Sequence, residues 1–428
     1  MTQTRNPNLY VVPPPAPSPP PLAPLRNTLA SVVDALTHLP EWRGVLASSE
    51  FDQRIVFRRA PPWSGTEATP FAPRPLRDRD IDRMRHWFEE SMGAVVSTPN
   101  VASAIRIIGD QNAFHPVREY LGGLAWDGVP RAARWLENYA AVHPTSEAHA
   151  GLVRSVAKSW LLSCVARAQR PGCKVDTMLI LEGQQGIGKS TALATLAGKG
   201  FYCDSAIDFA SKDACQTIQG VWIYELAELD ALLRRETSVV KAFLSRASDR
   251  FRVPYGRAPE TVARSVVFAG TVNHGDYLRD TTGNRRFWVV RCEGPLDIEG
   301  LAAARDMLWA EAAHLDARGE AWHLGAADEA LMQGEHEARV ETDPWEETIH
   351  AWTTAHAGRA GDAPVTMNEI LESALGLKAQ SRNSGTTRRV SQILGRMGFE
   401  RRRRNTLPRV YHYVRGAAPV SQCPTSGQ

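Results

Sequence analysis

The stretch that most constrains the fold is LILEGQQGIGKST, residues 179–191. It places three glycines, a lysine and two hydroxyl side chains directly after a short apolar run. An apolar run that stops at a glycine-rich loop is typical of a buried strand, and STALATLAG beyond the loop has helical spacing. The stretch therefore predicts a strand, a tight loop and a helix in direct succession, as in one unit of a parallel α/β sheet.

The glycines, the lysine and the serine have the spacing Gly-x4-Gly-Lys-Ser, which is the P-loop pattern. Glycines let backbone N–H groups turn inward around phosphates, and the following helix points its positive end at them. Lys189 would reach the β- and γ-phosphates of ATP, and the Ser190 hydroxyl would bind Mg²⁺. The alternative is a glycine turn that happens to carry a lysine. The residues predicted to bind ATP are Gly183, Gln184, Gln185, Gly186, Ile187, Gly188, Lys189, Ser190 and Thr191.

Acidic residues follow a second apolar run, VWIYELAELD. Hydrolysis of ATP needs one acid for the magnesium shell and another to orient water. We assign Glu225 to Mg²⁺ and Glu228 to the attacking water, with the two roles exchangeable. The commoner arrangement has adjacent acids, but residue 226 is leucine. Glu228 and Asp230 would otherwise simply favour the start of a helix.

A third apolar run, SVVFAGTVN, ends in Asn273. A polar side chain at the end of such a strand is placed to contact the γ-phosphate or the attacking water as a sensor. The alternative is an asparagine in a turn, because HGD follows.

These residues together resemble the virulence-associated E proteins, which are phage and mobile-element ATPases related to superfamily 3 helicases and primase-helicases. The matching stretches include NAFHPVREYLGGLAWDGVPR, VWIYELAEL and FAGTVNHGDYLRDTTGNRRFW, within about residues 112–313. The resemblance implies a ring-forming ATPase that acts on DNA during replication of a mobile element. It carries over the P-loop, both acids and the sensor Asn273.

The resemblance also points to Arg285 and Arg286 in GNRRFW. Related ring ATPases place an arginine finger at this point, where it stabilises charge in a neighbouring subunit's site. Neighbouring residues of a strand face opposite ways, so only one of the two would do this. A salt bridge or an exposed edge charge is the alternative. The implied assembly is a homo-oligomeric ring, with a hexamer favoured.

A predicted hairpin around DRFRVPYGRAPETVARS occupies the place where superfamily 3 helicases grip single-stranded DNA. Arginines there would neutralise the backbone and aromatic rings would stack on bases. Phe251 and Tyr255 would otherwise be core residues, and Arg250 or Arg252 would otherwise face a phosphate of ATP. The predicted DNA contacts in the hairpin are Arg250, Arg252, Tyr255 and Arg257.

Basic charge is concentrated near the C-terminus. Residues 381–415 hold ten arginines against one acid, a net charge of +9, so the rest of this +3 chain is near −6. The order helix, helix, basic helix and strand pair suits a winged helix, with RRVSQILGRMG as recognition helix and RRRRN as wing. A solvated run of charge is the alternative. The predicted DNA contacts are Arg388, Arg389, Arg401, Arg402, Arg403 and Arg404.

The predicted fold class is α/β: a P-loop, AAA+-like core with a parallel sheet, a mainly helical N-terminal region and a C-terminal winged-helix-like domain. Between the second and third strands we expect two helices, ELDALLRR and SVVKAFLSR, and NRRFWVVRC reads as a strand. The expected divisions are a disordered proline-rich arm (1–26), the N-terminal domain (27–145), the ATPase domain (146–325), the winged-helix-like domain (326–416) and a disordered tail (417–428).

We predict an ATP-hydrolysing, helicase-like DNA motor that uses ATP and Mg²⁺ on single-stranded or forked DNA. The alternatives are a nucleotide-gated initiator or helicase loader that does not translocate, a phage-defence ATPase and a small-molecule kinase. No acidic triad or zinc pattern for primer synthesis is visible, so either a primase is encoded separately or the N-terminal part only positions DNA. No apolar run approaches the length of a membrane span and no signal peptide is evident, which predicts a cytoplasmic protein with no membrane partner. None of the six cysteines forms a CxxC pair, so we expect no zinc site. Because no export signal is evident, we expect reduced thiols.

Overall fold

The computed structural model describes residues 24–64, 71–209, 211, 213–251, 258–273, 278, 283–339, 343–360, 364–381, 383–403 and 411–415. The chain divides into two compact units, residues 1–340 and 341–428. The secondary structure is mixed α/β, as expected. Among the helices in these ranges, none combines the length and the apolar character needed to cross a membrane.

Within residues 24–64 and 71–112, three helices pack on a three-stranded antiparallel sheet of order β1-β2-β3. Sequence analysis predicts a mainly helical region here, and the structure adds this small sheet to the helices. Val32, Trp42, Phe57, Phe88 and Ile105 lie in the shared core. The elements are α1 (Leu29–His38), β1 (Leu46–Ser49), β2 (Arg54–Phe57), β3 (Arg74–Pro75), α2 (Asp78–Met92) and α3 (Thr98–Gln111).

The larger part of the first unit surrounds a five-stranded parallel sheet, which confirms the predicted α/β class. Its elements are α4 (Pro116–Gly122), α5 (Trp135–Tyr139), α6 (Glu147–Gln169), β4 (Met178–Glu182), α7 (Lys189–Ala197), β5 (Tyr202–Cys203), α8 (Ala214–Thr217), β6 (Ile223–Leu226), α9 (Leu229–Leu244), β7 (Ser248–Phe251), β8 (Glu260–Ala263), β9 (Val267–Val272), β10 (Phe287–Arg291), α10 (Ile298–Ala317) and α11 (Ala326–Glu337). A 3-10 turn, Asn284–Arg286, precedes β10.

The strand order is β10-β4-β9-β6-β5, so β4 and β6 are separated by β9, which follows both in the chain. All five residues of β4 and all six of β9 are buried, as expected for strands covered by helices on both faces. The Ser146 side chain accepts from the His149 backbone at 3.1 Å and caps α6, which packs largely buried against this sheet. The carboxyl ends of β4, β9 and β6 therefore meet at one edge of the sheet.

One continuous helix, α9, replaces the two helices expected between β6 and β7. The segment contains neither glycine nor proline, so nothing in the backbone interrupts the helical hydrogen bonds. At the far end of α9, the Phe243 carbonyl accepts from Arg264 Nη1 at 2.6 Å, and Ser245 Oγ accepts from Arg286 Nε at 2.9 Å.

The predicted hairpin is present as the antiparallel pair β7–β8, and its tip, residues 252–257, lies outside the described residues. A buried ion pair anchors its base. Arg264 donates to Asp249 through Nε at 2.5 Å and through Nη2 at 2.8 Å, and it lies over the Phe243 ring at 4.2 Å. Because both side chains are excluded from water, each charge depends on the other.

Replacing Asp249 by alanine is expected to lower the free energy of unfolding by about 3–5 kcal/mol, because Arg264 would be left buried without its counter-charge. Urea unfolding followed by tryptophan fluorescence measures this. The control is Glu320→Ala, which breaks a half-exposed pair with Lys158 and should cost at most about 1 kcal/mol. Equal losses in the two variants would contradict the assigned role of the Asp249–Arg264 pair.

The second unit comprises α12 (Pro344–Ala360), β11 (Val365–Thr366), α13 (Met367–Glu369, continued by a wider turn over Ile370–Ala374), α14 (Ser384–Arg396), β12 (Phe399–Arg403) and β13 (Tyr411–Arg415). Its strands form an antiparallel sheet of order β11-β13-β12. Ile349, Ile370, Val390 and Tyr413 lie in its core. Helix α11, which sequence analysis placed beyond the 325/326 boundary, belongs to the first unit, because Met332 packs in the core around the parallel sheet.

Candidate functional site

The loop after β4 bends tightly around the start of α7. Gly183 has φ +159°, and a Cβ there would lie 2.5 Å from the Cys292 carbonyl oxygen, so the close approach of these two segments requires glycine. Gly188, at φ +98°, is left-handed and caps α7, which begins at Lys189. The free N–H groups of the first helical turn therefore lie at the end of β4, which is a favourable place for an anion.

Lys189 lies inside this loop with 6% of its surface exposed. Its Nζ donates to the carbonyls of Gly183 and Gln184 at 2.6 and 2.7 Å and to Asn273 Oδ1 at 3.2 Å. Burial lowers the pKa of Lys189, while nearby Cys292 and Glu225 act in the opposite direction. The structure thus brings the predicted lysine and the predicted sensor asparagine into direct contact.

Glu225 is 1% exposed and lies near the end of β6. Its Oε1 accepts from Ser190 Oγ at 2.7 Å and from Thr271 Oγ1 at 2.5 Å, and its Oε2 accepts from the Tyr202 hydroxyl. A carboxylate that is removed from water needs such donors. Glu225 and Ser190, the two residues predicted to bind Mg²⁺, are therefore hydrogen-bonded to each other.

Sequence analysis did not identify Thr271 or Tyr202. Thr271 had a usable signal, because it lies two residues before Asn273 and alternate residues of a strand share a face. Tyr202 had none: it lies in the two-residue strand β5, and it reaches Glu225 only because β5 pairs with β6.

Glu228 is the N-cap residue directly before α9; its backbone is left-handed, φ 51° and ψ 42°, and its side chain is exposed. A residue other than glycine held in this conformation costs on the order of 1–3 kcal/mol and is found disproportionately at functional sites. The strained turn places Glu228 next to the end of β6, but outside the hydrogen-bonded group around Glu225.

Sequence analysis expected Arg285 and Arg286 in a strand, but they lie in the 3-10 turn before β10. The Arg285 side chain is 61% exposed and lies 3.8 Å from Asp176, whereas that of Arg286 is 20% exposed and donates to Ser245. Phe287 pairs with Met178, the first residue of β4, so both arginines lie at the opposite end of the sheet from the loop that follows β4.

The residues predicted to bind DNA are only partly within the described regions. Arg250 is exposed on β7, and Phe251 is buried, which fits the alternative that Phe251 is a core residue. Arg252, Tyr255, Arg257 and Arg404 lie outside the described residues.

In the second unit, Arg388, Arg401, Arg402 and Arg403 are exposed. Arg401 lies over the Tyr411 ring at 3.9 Å, and Arg402 pairs with Glu400 at 2.9 Å. Arg389 has an internal role, because it donates twice to Asp343 and lies 3.8 Å from the centre of the Trp345 ring. Of the arginines predicted to contact DNA in the described part of this unit, those exposed to solvent are Arg388 and the three on β12.

The residues around Glu225 suit a magnesium ion. The described residues contain no group of three or more acidic, histidine or cysteine side chains that would enclose a metal. Mg²⁺ is normally held by one or two carboxylates together with the phosphates of a nucleotide, and it prefers oxygen ligands. The Ser190 hydroxyl and the Glu225 carboxylate are such a set.

Comparison with protein families matches residues 121–341, just over half of the chain, to the virulence-associated protein E-like domain. The chain belongs to this family. The match contains the glycine-rich loop at residues 183–188, Glu225, Asn273 and both arginines, and it ends at the division between the two units.

No curated protein matches the chain. Among solved structures, the apo structure of the NrS-1 C terminal region is similar at 10% identity and a TM-score of 0.41, covering 87% of this chain and 96% of that chain. The A form apo structure of the same region has the same identity and coverages and a TM-score of 0.42.

Proposed function

We propose that this member of the virulence-associated protein E-like family binds and hydrolyses ATP. The observation that carries the proposal is the direct contact of Lys189 with Asn273 and of Ser190 with Glu225, at the edge where β4, β9 and β6 end. In open parallel sheets, ligands bind at this edge where the strand order reverses. The loop and the start of α7 offer N–H groups to phosphates, and Lys189 adds a positive charge.

The two acids have different surroundings, which supports different roles. Glu225 is enclosed by hydroxyl groups and bonded to Ser190, which suits it to the magnesium shell. Glu228 is exposed one turn beyond, which suits it to orienting the attacking water. The bound ion would neutralise charge on the β- and γ-phosphates. With ATP bound, Asn273 would give up its hydrogen bond to Lys189 and contact a phosphate oxygen or the attacking water instead.

The second unit supports a nucleic-acid partner. Its order α12, β11, α13, α14, β12 and β13 suits a winged helix, with α14 as the recognition helix and β12–β13 as the wing. Exposed arginines on β12 and at Arg388 would contact phosphates, so binding should be salt-dependent and read little sequence. Arg250 on the β7–β8 hairpin would be a second contact to single-stranded DNA.

Together these features suit a ring-forming, helicase-like motor for phage or mobile-element replication that acts on single-stranded or forked DNA. The test is the ATPase rate with and without single-stranded DNA. We expect stimulation by DNA that falls as salt rises, and weaker DNA binding by fluorescence anisotropy when Arg401, Arg402 and Arg403 are replaced by alanine together. A rate that DNA leaves unchanged at every salt concentration would refute a DNA-dependent motor.

A nucleotide-gated initiator or helicase loader is the second candidate. The observation that favours it is the recognition-helix arrangement of α14, with Arg388 exposed on it, because this arrangement is typical of duplex binding. A strand-displacement assay on forked DNA separates the two candidates. A motor displaces the strand in an ATP-dependent manner, whereas a switch binds the fork and hydrolyses ATP without displacement.

A further inference from the structure

The carboxylate of Glu225 is held at both oxygens by hydroxyl groups from three different elements. Ser190 of α7 and Thr271 of β9 donate to Oε1, and Tyr202 of β5 donates to Oε2. Lys189, the nearby cation, is bonded instead to two loop carbonyls and to Asn273. The orientation of this carboxylate is therefore set by hydroxyl donors.

Tyr202 and Thr271 are not part of the glycine-rich loop at residues 183–188. They lie on β5 and β9, the two strands that flank β6. Tyr224 of β6 provides a contrast, because its hydroxyl donates to the Ser205 carbonyl and so ties one backbone segment to another. The Tyr202 hydroxyl instead donates to the Glu225 carboxylate. Burial raises the pKa of Tyr202, and its hydrogen bond to Glu225 acts in the same direction, so this phenol remains a donor at neutral pH.

We propose that Tyr202 and Thr271 are positioning residues for magnesium-dependent nucleotide binding. Tyr202 fixes the position of Glu225 Oε2, and Thr271 holds Glu225 Oε1 beside the Ser190 hydroxyl. Oε1 and the Ser190 oxygen are then presented together to the cation. The inference rests on the proposed function, since it concerns the same site. Partners that orient a metal-binding group in this way typically change metal affinity by 10–100-fold when they are removed.

The test is equilibrium binding of a fluorescent N-methylanthraniloyl ATP to the full chain, first in EDTA and then with increasing Mg²⁺. Tyr202→Phe keeps the ring and loses only the hydroxyl. We expect its magnesium midpoint to rise about 10–100-fold, with the affinity in EDTA within about twofold of wild type. Thr271→Val should shift the midpoint in the same direction, and Thr271→Ser, which keeps the hydroxyl, should restore it.

The matched control is Tyr224→Phe, which removes a buried phenol hydroxyl from the neighbouring strand without touching Glu225. Its magnesium midpoint should equal that of wild type. If Tyr202→Phe does not fold, the Thr271→Val and Thr271→Ser pair decides the question. Midpoints unchanged in Tyr202→Phe and Thr271→Val, with normal magnesium dependence in wild type, would overturn the inference alone. A wild-type chain that binds no nucleotide would overturn the proposed function itself.

Discussion

Replacing Lys189 by alanine is expected to lower ATP turnover on the order of a thousandfold, the upper range for removal of one donor that stabilises transition-state charge. The ammonium group lies between the Gly183 and Gln184 carbonyls. Without it, these carbonyl oxygens would face the phosphate oxygens and repel them. Phosphate release measured at saturating ATP, together with the ATP affinity, gives the size of the loss.

Lys199→Ala is the control, since Lys199 is exposed just beyond the end of the same helix. Its turnover should match that of wild type. Unchanged turnover in Lys189→Ala would mean that the phosphates are not held by this loop, and the ATPase proposal would fall with it.

The second large effect is expected for Arg285→Ala. Arg285 is exposed at the amino end of β10, whereas the glycine-rich loop proposed to bind ATP follows the carboxyl end of β4. Five residues of strand separate these edges by roughly 16 Å, so Arg285 does not reach its own chain's loop. If it serves a neighbouring subunit as an arginine finger, its loss should lower kcat by about 10³-fold with little change in ATP affinity.

Arg286→Ala is the matched variant, because Arg286 is largely enclosed and donates to Ser245; its kcat should change much less. Mixing Arg285→Ala with Lys189→Ala subunits should restore part of the activity, since some junctions then combine an intact loop with an intact arginine. Native mass spectrometry with ATP and DNA gives the subunit number. Full activity in a monomer, or mixtures with no recovery, would rule out a shared site.

The sequence predicted the parts of the site that depend on local spacing. Lys189 and Ser190 follow from the glycine pattern, because the loop and the helix start are determined by neighbouring residues. Glu225 and Asn273 follow from apolar runs that end in a polar side chain, and parallel strands bring such ends together. In the structure, Lys189 is hydrogen-bonded to Asn273 and Ser190 to Glu225.

Contacts between segments that are distant in the chain could not be predicted from the sequence. Tyr202 reaches Glu225 only through strand pairing, and no local pattern marks it. Charge alone suggested that Arg389 contacts DNA, but its partner Asp343 lies 46 residues earlier in the chain. The single helix α9 was divided in two because its polar middle resembles a loop, although helical hydrogen bonding needs no apolar residues there.

Helix α9 connects the end of β6 with the base of the β7–β8 hairpin. It starts directly after the strained Glu228 beside β6, and near its other end the Phe243 carbonyl accepts a hydrogen bond from Arg264 of the hairpin base. Its 16 residues span roughly 24 Å. As a stiff lever of that length, it would convert a tilt of about ten degrees at Glu228 into a displacement of about 4 Å at the hairpin, close to the rise of one residue along an extended strand.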